Sequence, residues 1–503
     1  NSEIYIDKTE LLKFLTKKLG TNGKCITVSH ARRFGKSHAA GMIDAYYSLG
    51  SDSSKLFENT KIASDPDYEK YRNKYNVIHL DISSVWDYHK EDLIESIEER
   101  VCEDFQKIYG DLLNYKRDFY LLIQDIYSLT GIPFVIIIDE WDCVIRNSHD
   151  QALVHKYLQF LHSLFKSEES KSFLALGYIT GILPIKKIKD ESALNNFQEY
   201  TMLDSYPITE YYGFTEKEVK DLCKDYSMDF ETVKAWYNGY LIDGEHMYNP
   251  NSVSQALERH KIDSYWRNTS AFDTINTFIT MNYAGLKDDV MKMLTGGKVR
   301  INTNTFQNDF SIITSKDDAL TALIHLGYLG YDADRKKSFI PNYEVATAFE
   351  LALQTGSWKE IAESISKCDE LLDETIDGNA ERVAELIELA HETYTSILKY
   401  NDENALSCVL TMAYFTAPAY YNVIREMPSG KGFADFVFLP RANAGNRPAM
   451  IIELKYNQSA ETALKQIKEK RYQGALSGYQ GKILLVGINY DSEKHHTCMI
   501  EEL

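Results

Sequence analysis

The sequence predicts an α/β protein in which a parallel, helix-covered sheet is followed by helical regions and a second, smaller α/β domain. Continuous apolar runs, typical of strands buried on both faces, alternate with helical periodicity over the first 200 residues. The chain has 503 residues, enough for roughly three domains of ordinary size. Residues 401–503 contain eleven acidic and eleven basic side chains, so the formal net charge of −19 lies entirely before them. This change in charge predicts a domain boundary near residue 401.

Composition excludes several classes of protein. Hydrophobic residues make up 44% and charged residues 26%, which argues against a disordered or fibrous chain. The seven cysteines are scattered and never form a C-x-x-C pair, so we expect neither a disulfide framework nor a zinc ribbon, and we expect a reducing cytoplasm. No apolar run approaches the roughly 18 residues of a membrane span, and no signal peptide opens the chain. We therefore expect no membrane association. Because the first residue is Asn1, we also expect the native N-terminus to lie upstream.

The first region alternates between strands and helices. A helix is expected from about Ser37, and helical periodicity covers 92–127. The predicted strands are 24–29, 76–82, 134–138 and 173–180. Strands separated by helices in this way favour a parallel sheet with helices on both faces.

The middle of the chain is less regular. Residues 204–283 read as short helices and turns, and 316–348 read as a helix followed by strand, turn and strand around 328–340, a candidate winged-helix unit. Residues 359–392 contain eleven acidic and three basic side chains, a net charge of −8, and are interpreted as a solvated helical connector.

The last hundred residues predict a compact α/β unit of their own. A helix is expected over 403–415, and a second helix, 460–472, separates the last two strands. The predicted strands are 421–426, 434–439, 449–454 and 482–488.

Gly35, Lys36 and Ser37 lie between a predicted strand and a predicted helix. In such a turn the backbone N–H groups and the helix N-terminus face a phosphate, a lysine reaches the β- and γ-phosphates, and a serine hydroxyl binds Mg²⁺. His30 stands where the usual pattern has its first glycine, and a bare Gly-Lys-Ser is common by chance. Arg33, next to Arg32 in the same loop, could support phosphoryl transfer or pair with an acid.

Asp139 and Glu140 end the apolar run 134–138, which places them at the carboxyl edge of the predicted sheet. There Asp139 could hold Mg²⁺ and Glu140 could orient water toward a γ-phosphate. The alternative is a helix N-cap, for which Asp142 is also available. Thr180, at the end of a later strand, could contact the γ-phosphate or be an ordinary strand-end threonine. Together with the Gly-Lys-Ser turn, the two acids predict a nucleotide site.

A second constellation lies near the C-terminus. Glu453 and Lys455 are two residues apart on one predicted strand and therefore share a face, and Asp435 begins the preceding strand. If the strands are neighbours, two carboxylates and an amine converge as a site for Mg²⁺ or Mn²⁺ would require, with the lysine orienting the attacking water. The alternative is a surface ion pair.

The following helix carries Gln466 and Tyr472 among several basic side chains. It could present polar groups to the metal site and a basic rim to a phosphate backbone, or it could be an amphipathic helix with a solvated lysine face. Glu403 could supply a further acid or simply favour a helix N-terminus.

A string of short motifs resembles the bacterial AAA-ATPase-like family, whose members commonly end in a PD-(D/E)XK nuclease-superfamily domain. The motifs cover almost the whole chain and occur in the family's order. They are Tyr5-Ile6-Asp7-Lys8-Thr9, Arg32-Arg33-Phe34-Gly35-Lys36-Ser37, Ile138-Asp139-Glu140, Thr180-Gly181-Ile182, Gly213-Phe214-Thr215, Trp236-Tyr237-Asn238-Gly239-Tyr240, Tyr248-Asn249-Pro250, Gly432-Phe433-Ala434-Asp435, Glu453-Leu454-Lys455 and Gln466 to Tyr472.

The resemblance implies a P-loop NTPase sheet with a helical lid and a C-terminal restriction-endonuclease-like domain. It implies phosphate-loop roles for Lys36 and Ser37, Walker B roles for Asp139 and Glu140, and nuclease-core roles for the Asp435, Glu453 and Lys455 set. Two departures stand out. His30-Ala31 replaces the usual Arg-Pro, and Phe433 replaces the arginine of the usual Gly-Arg-Ala-Asp turn.

These observations divide the chain into five expected regions. In order, they are a P-loop ATPase core (1–205), a helical lid (206–300), a candidate winged-helix unit (301–358), an acidic helical connector (359–400) and a nuclease-like domain (401–503).

The leading hypothesis is a module that binds and hydrolyses ATP with Mg²⁺, coupled to a Mg²⁺- or Mn²⁺-dependent phosphodiesterase. The C-terminal domain would act on DNA in the bacterial cytoplasm. The alternative is a nucleotide-dependent switch whose nuclease-like domain only binds a protein or nucleic-acid partner. The sequence does not determine the oligomeric state.

Overall fold

A computed structural model describes the chain apart from several short segments. The segments outside the described residues are 1–3, 111–118, 149, 186–193, 267–274, 279, 282, 295, 307–312, 356–366, 399–408, 412, 415, 418–419, 430–431, 442–443, 471–475, 477–478, 480 and 493–494. The chain forms two compact units. The first comprises residues 1–222, 239–258 and 300–338, and the second comprises 223–238, 259–299 and 339–503.

The first unit is built on a five-stranded parallel sheet. Its strands are β1 (Cys25–Ser29), β2 (Asn76–Asp81), β3 (Phe134–Asp139), β4 (Leu174–Gly181) and β5 (Gln198–Thr201). Their order is β2-β3-β4-β1-β5, and every neighbouring pair is parallel. The expected parallel sheet is therefore confirmed.

Helices cover both faces of this sheet. Alternate residues of β3 enter two separate apolar cores, with Ile136 and Ile138 on one side and Val135 and Ile137 on the other. A strand covered on both faces reads as a continuous apolar run, which is why β3 was predictable. The helices are α1 (Glu10–Thr16), α2 (Lys36–Tyr47), α3 (Ser54–Phe57), α4 (Tyr68–Tyr71), α5 (Ile82–Tyr88), α6 (Leu93–Tyr109), α7 (Phe119–Thr130), α8 (Cys143–Asn147), α9 (Gln151–Phe165) and α10 (Ser170–Phe173).

The strand order explains how distant segments meet at one edge. β4 lies between β1 and β3, and the three strands run in the same direction. The loop after β1, the end of β4 and the acids after β3 therefore reach the same carboxyl edge, where open α/β sheets bind ligands. β5 was not predicted, because it is short and begins with the polar pair Gln198 and Glu199.

The middle of the chain contains more strand than its pattern indicates. Helix α15 (Lys316–Leu326) is followed by a hairpin of β10 (Gly330–Asp332) and β11 (Lys337–Phe339), which reproduces the expected helix–strand–turn–strand order. Ser315 caps α15, and Gly327, with φ +86°, ends it. Strands β6, β7 and β8 form a small antiparallel sheet that the sequence did not predict. The elements are α11 (Glu216–Asp225), α12 (Phe230–Tyr237), α13 (Pro250–Arg259), α14 (Leu286–Leu294), α15 (Lys316–Leu326), β6 (Phe214–Thr215), β7 (Tyr240–Ile242), β8 (Glu245–Tyr248), β9 (Val299–Arg300), β10 (Gly330–Asp332) and β11 (Lys337–Phe339).

The second unit contains a mixed five-stranded sheet in the order β12-β13-β14-β15-β16. β14 and β15 are parallel and are joined through helix α19, whereas the other neighbours are antiparallel. Four strands and the helix were predicted. The elements are α16 (Tyr343–Thr355), α17 (Cys368–Ile376), α18 (Ala380–Leu398), α19 (Ala460–Glu469), β12 (Tyr421–Ser429), β13 (Gly432–Pro440), β14 (Ala449–Tyr456), β15 (Ile483–Tyr490) and β16 (His496–Glu502).

The C-terminal strand β16 was not predicted, because most of its residues are polar or charged and it lacks an apolar run. Most of the expected helix 403–415 and the end of the expected helix 460–472 lie outside the described residues. In the part of the chain that the structure describes, no helix is both long and apolar enough to cross a bilayer. The six cysteines within that part are free thiols.

Packing around β4 generates a first prediction. A Cβ at Gly177 would lie 2.7 Å from the Phe165 ring, whereas a Cβ at Gly41, in helix α2, would meet no atom within 4 Å. We expect Gly177→Ala to destabilise the first unit by about 1–3 kcal/mol through overpacking. We expect the matched Gly41→Ala to stabilise it by about 0.5–1 kcal/mol through helix propensity. Differential scanning calorimetry of the two variants checks both signs, and equal shifts would contradict the packing of β4.

Candidate functional sites

The loop between β1 and α2 has the geometry of an anion-binding turn. Arg33 and Gly35 adopt positive φ angles of +68° and +88°. Gly35 stands at the N-cap of α2, and no side chain caps that helix. Successive N–H groups in such a turn, together with the positive end of a helix dipole, favour a bound anion. Ser37, in the first turn, is exposed to solvent.

Lys36 is buried and folds back over the loop. Its ammonium donates hydrogen bonds to the carbonyl oxygens of His30 at 2.8 Å and Ala31 at 2.9 Å. Burial lowers the pKa of Lys36 to about 8, against the opposing effect of nearby carboxylates, those of Asp142, Glu140 and Asp139 in decreasing order. The structure thus brings the predicted lysine to the predicted acids.

His30, at the position of the missing glycine, points into the core of the first unit. Its Nε2 lies 2.9 Å from the Ser205 hydroxyl, and its ring packs 5.2 Å from that of Tyr212. Burial and the positive charge of Lys36 lower the pKa of His30 to about 3, so the ring is neutral. The larger residue is therefore accommodated away from the turn itself.

Residues from three other motifs, Gly213-Phe214-Thr215, Trp236-Tyr237-Asn238-Gly239-Tyr240 and Tyr248-Asn249-Pro250, contact this loop. Phe34 is buried and packs edge-on against Tyr240 of β7, with the ring centroids 5.1 Å apart. The carbonyl of Phe34 accepts from the Gly213 N–H at 3.0 Å, and that of Arg32 accepts from Asn249 Nδ2 at 3.4 Å. The small sheet around these residues therefore supports the loop, a role that no spacing in the sequence indicates.

Asp139 and Thr180 meet at the carboxyl edge of the sheet. The Thr180 hydroxyl, fully buried, donates to Asp139 Oδ1, which also accepts from the Glu140 N–H at 3.1 Å. Thr180 thus contacts the acid directly and orients it. Glu140, with φ +52°, is partly exposed at the same edge.

Two further residues of this site were not predicted as functional. Asp142 is fully buried, and its Oδ2 accepts from the Ile182 and Leu183 N–H groups and from Arg146 Nε at 2.9 Å. Arg146 also lies 3.5 Å from Glu140 Oε2. The four-residue spacing of Asp142 and Arg146, typical of a helical ion pair, is the signal that could have found them. Asp142 stands at the N-cap of α8, but its side chain makes no capping bond there.

In the second unit the three predicted C-terminal residues converge. The register pairs Phe436 with Ile452, so Asp435 and Glu453 extend the pairing by one residue on each strand. Asp435 Oδ2 accepts from the Leu454 N–H at 2.7 Å. Lys455 Nζ donates to Glu453 Oε1 at 3.0 Å and to the Leu454 carbonyl at 3.0 Å. Strands β13 and β14 are thus neighbours, as the convergence requires.

Glu453 is the most constrained residue of this set. It is buried, and Gln466 of α19 donates to its Oε1, the oxygen that Lys455 also contacts. Burial, and then the negative charge of Asp435, raise the pKa of Glu453 to about 7, although Lys455 and Lys470 oppose the shift. Oε2 of Glu453 is buried without a hydrogen-bond partner.

This donor set fits a divalent cation. An unpartnered carboxylate oxygen beside a second carboxylate is the arrangement that a hard cation would complete, and Mg²⁺ needs few protein ligands because it keeps several waters. Among the residues described, no group of three or more His, Cys, Asp or Glu side chains forms a metal-binding cluster. The site therefore offers two protein carboxylates. Tyr472, Glu403 and the Phe433 side chain lie outside the described part of the chain.

Comparison with family models agrees with both halves of this arrangement. Residues 1–189 match the model described as "Predicted AAA-ATPase", and residues 401–500 match that of the PD-(D/E)XK nuclease superfamily. The two matched regions are therefore similar to a AAA-ATPase-like, nucleotide-binding module and to a domain of the PD-(D/E)XK nuclease superfamily, in the order predicted from the sequence. Families of these kinds generally use a nucleotide and a divalent metal.

Individual relatives are distant. An "Uncharacterized protein in vnfD 5'region" from Azotobacter chroococcum mcd 1 is 24% identical over 274 residues, which cover 53% of this chain. The match spans about half the length of that relative, 50%.

Similar solved structures include the ORC2 protein of Aeropyrum pernix in ADPNP–ADP complexes, with 11% identity over 70% of this chain and 98% of that one, at a TM-score of 0.26. The ORC1 protein of the same organism in complex with DNA is 12% identical, and the match covers 69% of this chain and 93% of that one with a TM-score of 0.27. A DNA replication initiation factor is 9% identical, and the match covers 82% of this chain and 96% of that one, also with a TM-score of 0.27. Similarity this low does not define a shared fold, which here is defined by the strand orders.

The raised pKa of Glu453 predicts a pH dependence of stability. Because the folded-state pKa of Glu453 is about 7, above the ordinary 4.5 of a glutamate carboxyl, the folded chain binds more protons than the unfolded chain between these values, and its stability falls as the pH rises through that interval. With chelator present, the free energy of unfolding of Glu453→Gln minus that of wild type should be roughly 1–3 kcal/mol higher at about pH 8 than at about pH 5. Thermal melts at both pH values measure the difference. The exposed control Glu461→Gln should keep a constant offset; a constant offset for Glu453→Gln would refute the shift.

Proposed function

We propose that this protein binds and hydrolyses ATP in its first unit. Its second unit would cleave nucleic acid, with DNA as the favoured substrate, using Mg²⁺ or Mn²⁺ at Asp435, Glu453 and Lys455. The protein would act in the bacterial cytoplasm. The single observation that carries the second activity is the convergence of two carboxylates and an amine, with one buried carboxylate oxygen unpartnered. The family matches support a nucleotide-binding module and a nuclease-like domain.

In the first unit each residue of the nucleotide site would have a separate role in phosphoryl transfer. The N–H groups around Gly35 would hold the phosphates, Lys36 would release the His30 and Ala31 carbonyls to neutralise phosphate charge, and Ser37 and Asp139 would hold Mg²⁺. Thr180 keeps the Asp139 carboxylate oriented. Glu140 would position the attacking water, and its pairing with Arg146 holds its carboxylate at the sheet edge.

In the second unit Asp435 and Glu453 would hold the cation. Bound there, a divalent ion would polarise the phosphodiester and make water more acidic. Lys455 can orient the attacking water and offset charge that develops on the phosphate, while Gln466 keeps Glu453 in place. The buried Glu453 has to lose its proton before a cation binds, since a carboxylate ligates metal in its ionised form.

Lys36→Ala should abolish ATP binding, because the phosphates lose their buried cation. Glu140→Gln should still bind ATP but hydrolyse it at least about a hundredfold more slowly than wild type. Fluorescent-nucleotide titration and phosphate release measure the two properties. Lys17→Ala, on the exposed surface of the same unit, is the matched control and should resemble wild type. Unchanged ATP affinity in Lys36→Ala would place the phosphates elsewhere.

Plasmid nicking with Mg²⁺ or Mn²⁺ tests the second activity. Asp435→Asn, Glu453→Gln and Lys455→Met should each lower the nicking rate by roughly two to three orders of magnitude, and exposed Glu461→Gln should not. Equal nicking by all variants would mean that the activity lies elsewhere. If wild type neither nicks DNA nor binds Mn²⁺ in calorimetry, the result favours the alternative, a nucleotide-dependent switch whose nuclease-like domain only binds a partner. Mn²⁺ binding without nicking would support the cation site and refute the cleavage.

A further inference from the structure

A cleft of about 930 Å³ lies within the second unit, on the face of its sheet opposite the carboxylates. Successive residues of a strand point to opposite faces. On β13, Asp435 faces the metal-binding set, while Phe436 and Phe438 line the cleft. The cleft therefore belongs to neither of the two sites described above. Its volume is within the range of small-molecule sites, roughly 300–1,000 Å³.

Four aromatic side chains contribute to its lining. The rings of Phe436 and Phe438 lie 6.3 Å apart, and Tyr414 packs 5.3 Å from Phe438. Tyr343, half-buried in the wall, packs against Trp236 with centroids 6.4 Å apart. Flat apolar surfaces of this kind favour a planar ring as ligand.

Asn238 is the polar residue that packing does not explain. It belongs to the Trp236-Tyr237-Asn238-Gly239-Tyr240 motif, lines the cleft and is buried, yet its Oδ1 accepts no hydrogen bond. Its backbone is fully engaged: the carbonyl accepts from Asn342 Nδ2 at 2.7 Å, and the N–H donates to the Lys234 carbonyl at 3.0 Å. A buried amide oxygen without a donor destabilises the folded chain, and a ligand N–H would satisfy it.

The charges of the cleft argue against an anionic ligand. Two acids and two bases line it, and they balance: Asp229, Glu231, Lys234 and Arg441. The Asp229 carboxylate caps α12 through Thr232, and Arg441 Nε donates to the Tyr421 carbonyl at 3.1 Å. An uncharged, planar ligand with N–H donors on its edge matches these features better than a free phosphate does.

We propose that this cleft binds a nucleobase. The ring would lie against the aromatic lining, a base N–H would donate to Asn238 Oδ1, and the exposed amide of Asn422 would contact the base edge. Carboxamide side chains and aromatic faces are the groups by which proteins recognise unpaired bases. The same chemistry is offered by a free nucleoside and by an unpaired base of a single strand.

Isothermal titration of the full chain in the Lys36→Ala background, with chelator, tests the assignment without the phosphate loop and without cleavage. The probes are adenosine, cytidine and short single-stranded DNA. We expect binding that weakens about tenfold or more in Asn238→Leu, because a hydrogen bond is lost. The melting temperature of that variant should stay equal or rise, since an apolar group of similar size replaces an unsatisfied amide.

Asn422→Ala provides a second variant that cannot act through folding, because Asn422 is exposed; it should weaken binding with an unchanged melting temperature. Tighter binding of DNA than of nucleosides assigns the site to a strand, and the reverse assigns it to a free nucleoside. Absence of binding by all probes, or equal affinity in Asn238→Leu and its parent, overturns the proposal. Since no cation is present, either result leaves the proposed cleavage activity to be decided by the nicking assay alone.

Discussion

Burial of carboxylates is the constraint on which both sites depend. Asp139, Asp142 and Glu453 are only 5%, 0% and 2% exposed. A carboxylate can be buried only where hydrogen-bond donors or cations replace its water. Asp139 has the Thr180 hydroxyl, Asp142 has two backbone N–H groups and a guanidinium, and Glu453 has an amine and an amide. These donors hold the acids at the edges of their sheets and prepare them for charged ligands.

At both sites that burial is offset only in part. Asp142 Oδ2 gathers three donors and Glu453 Oε1 gathers two, but Asp142 Oδ1 and Glu453 Oε2 are buried without a hydrogen-bond partner. Burial and the neighbouring charge of Asp435 therefore raise the pKa of Glu453 to about 7. Incomplete compensation of this kind costs stability, and it is typical of functional sites, where a ligand completes the set.

Much of the architecture was predictable because its signals are local. Apolar runs such as 134–138 mark strands buried on both faces, and the i, i+2 spacing of Glu453 and Lys455 places both on one face of a strand. Elements stabilised by distant partners escaped prediction. β5 and β16 have polar residues and are strands because of their neighbours in the sheet, and in the small sheet supporting Phe34, β6 pairs with β8 more than thirty residues away. The boundaries of the five expected regions and the roles of the individual site residues stay predictions.

By itself, the sequence determined which chemical groups are present and where along each element they stand: the Gly-Lys-Ser turn, the acids that end β3, and the acids and lysine of β13 and β14. Only the tertiary structure decided which of these groups meet and what their protonation is. Convergence follows from strand order and register, which depend on contacts between distant segments, and the pKa values of Lys36 and Glu453 follow from burial and neighbouring charges. Neither property exists until the chain is packed, and so neither can be read from spacing.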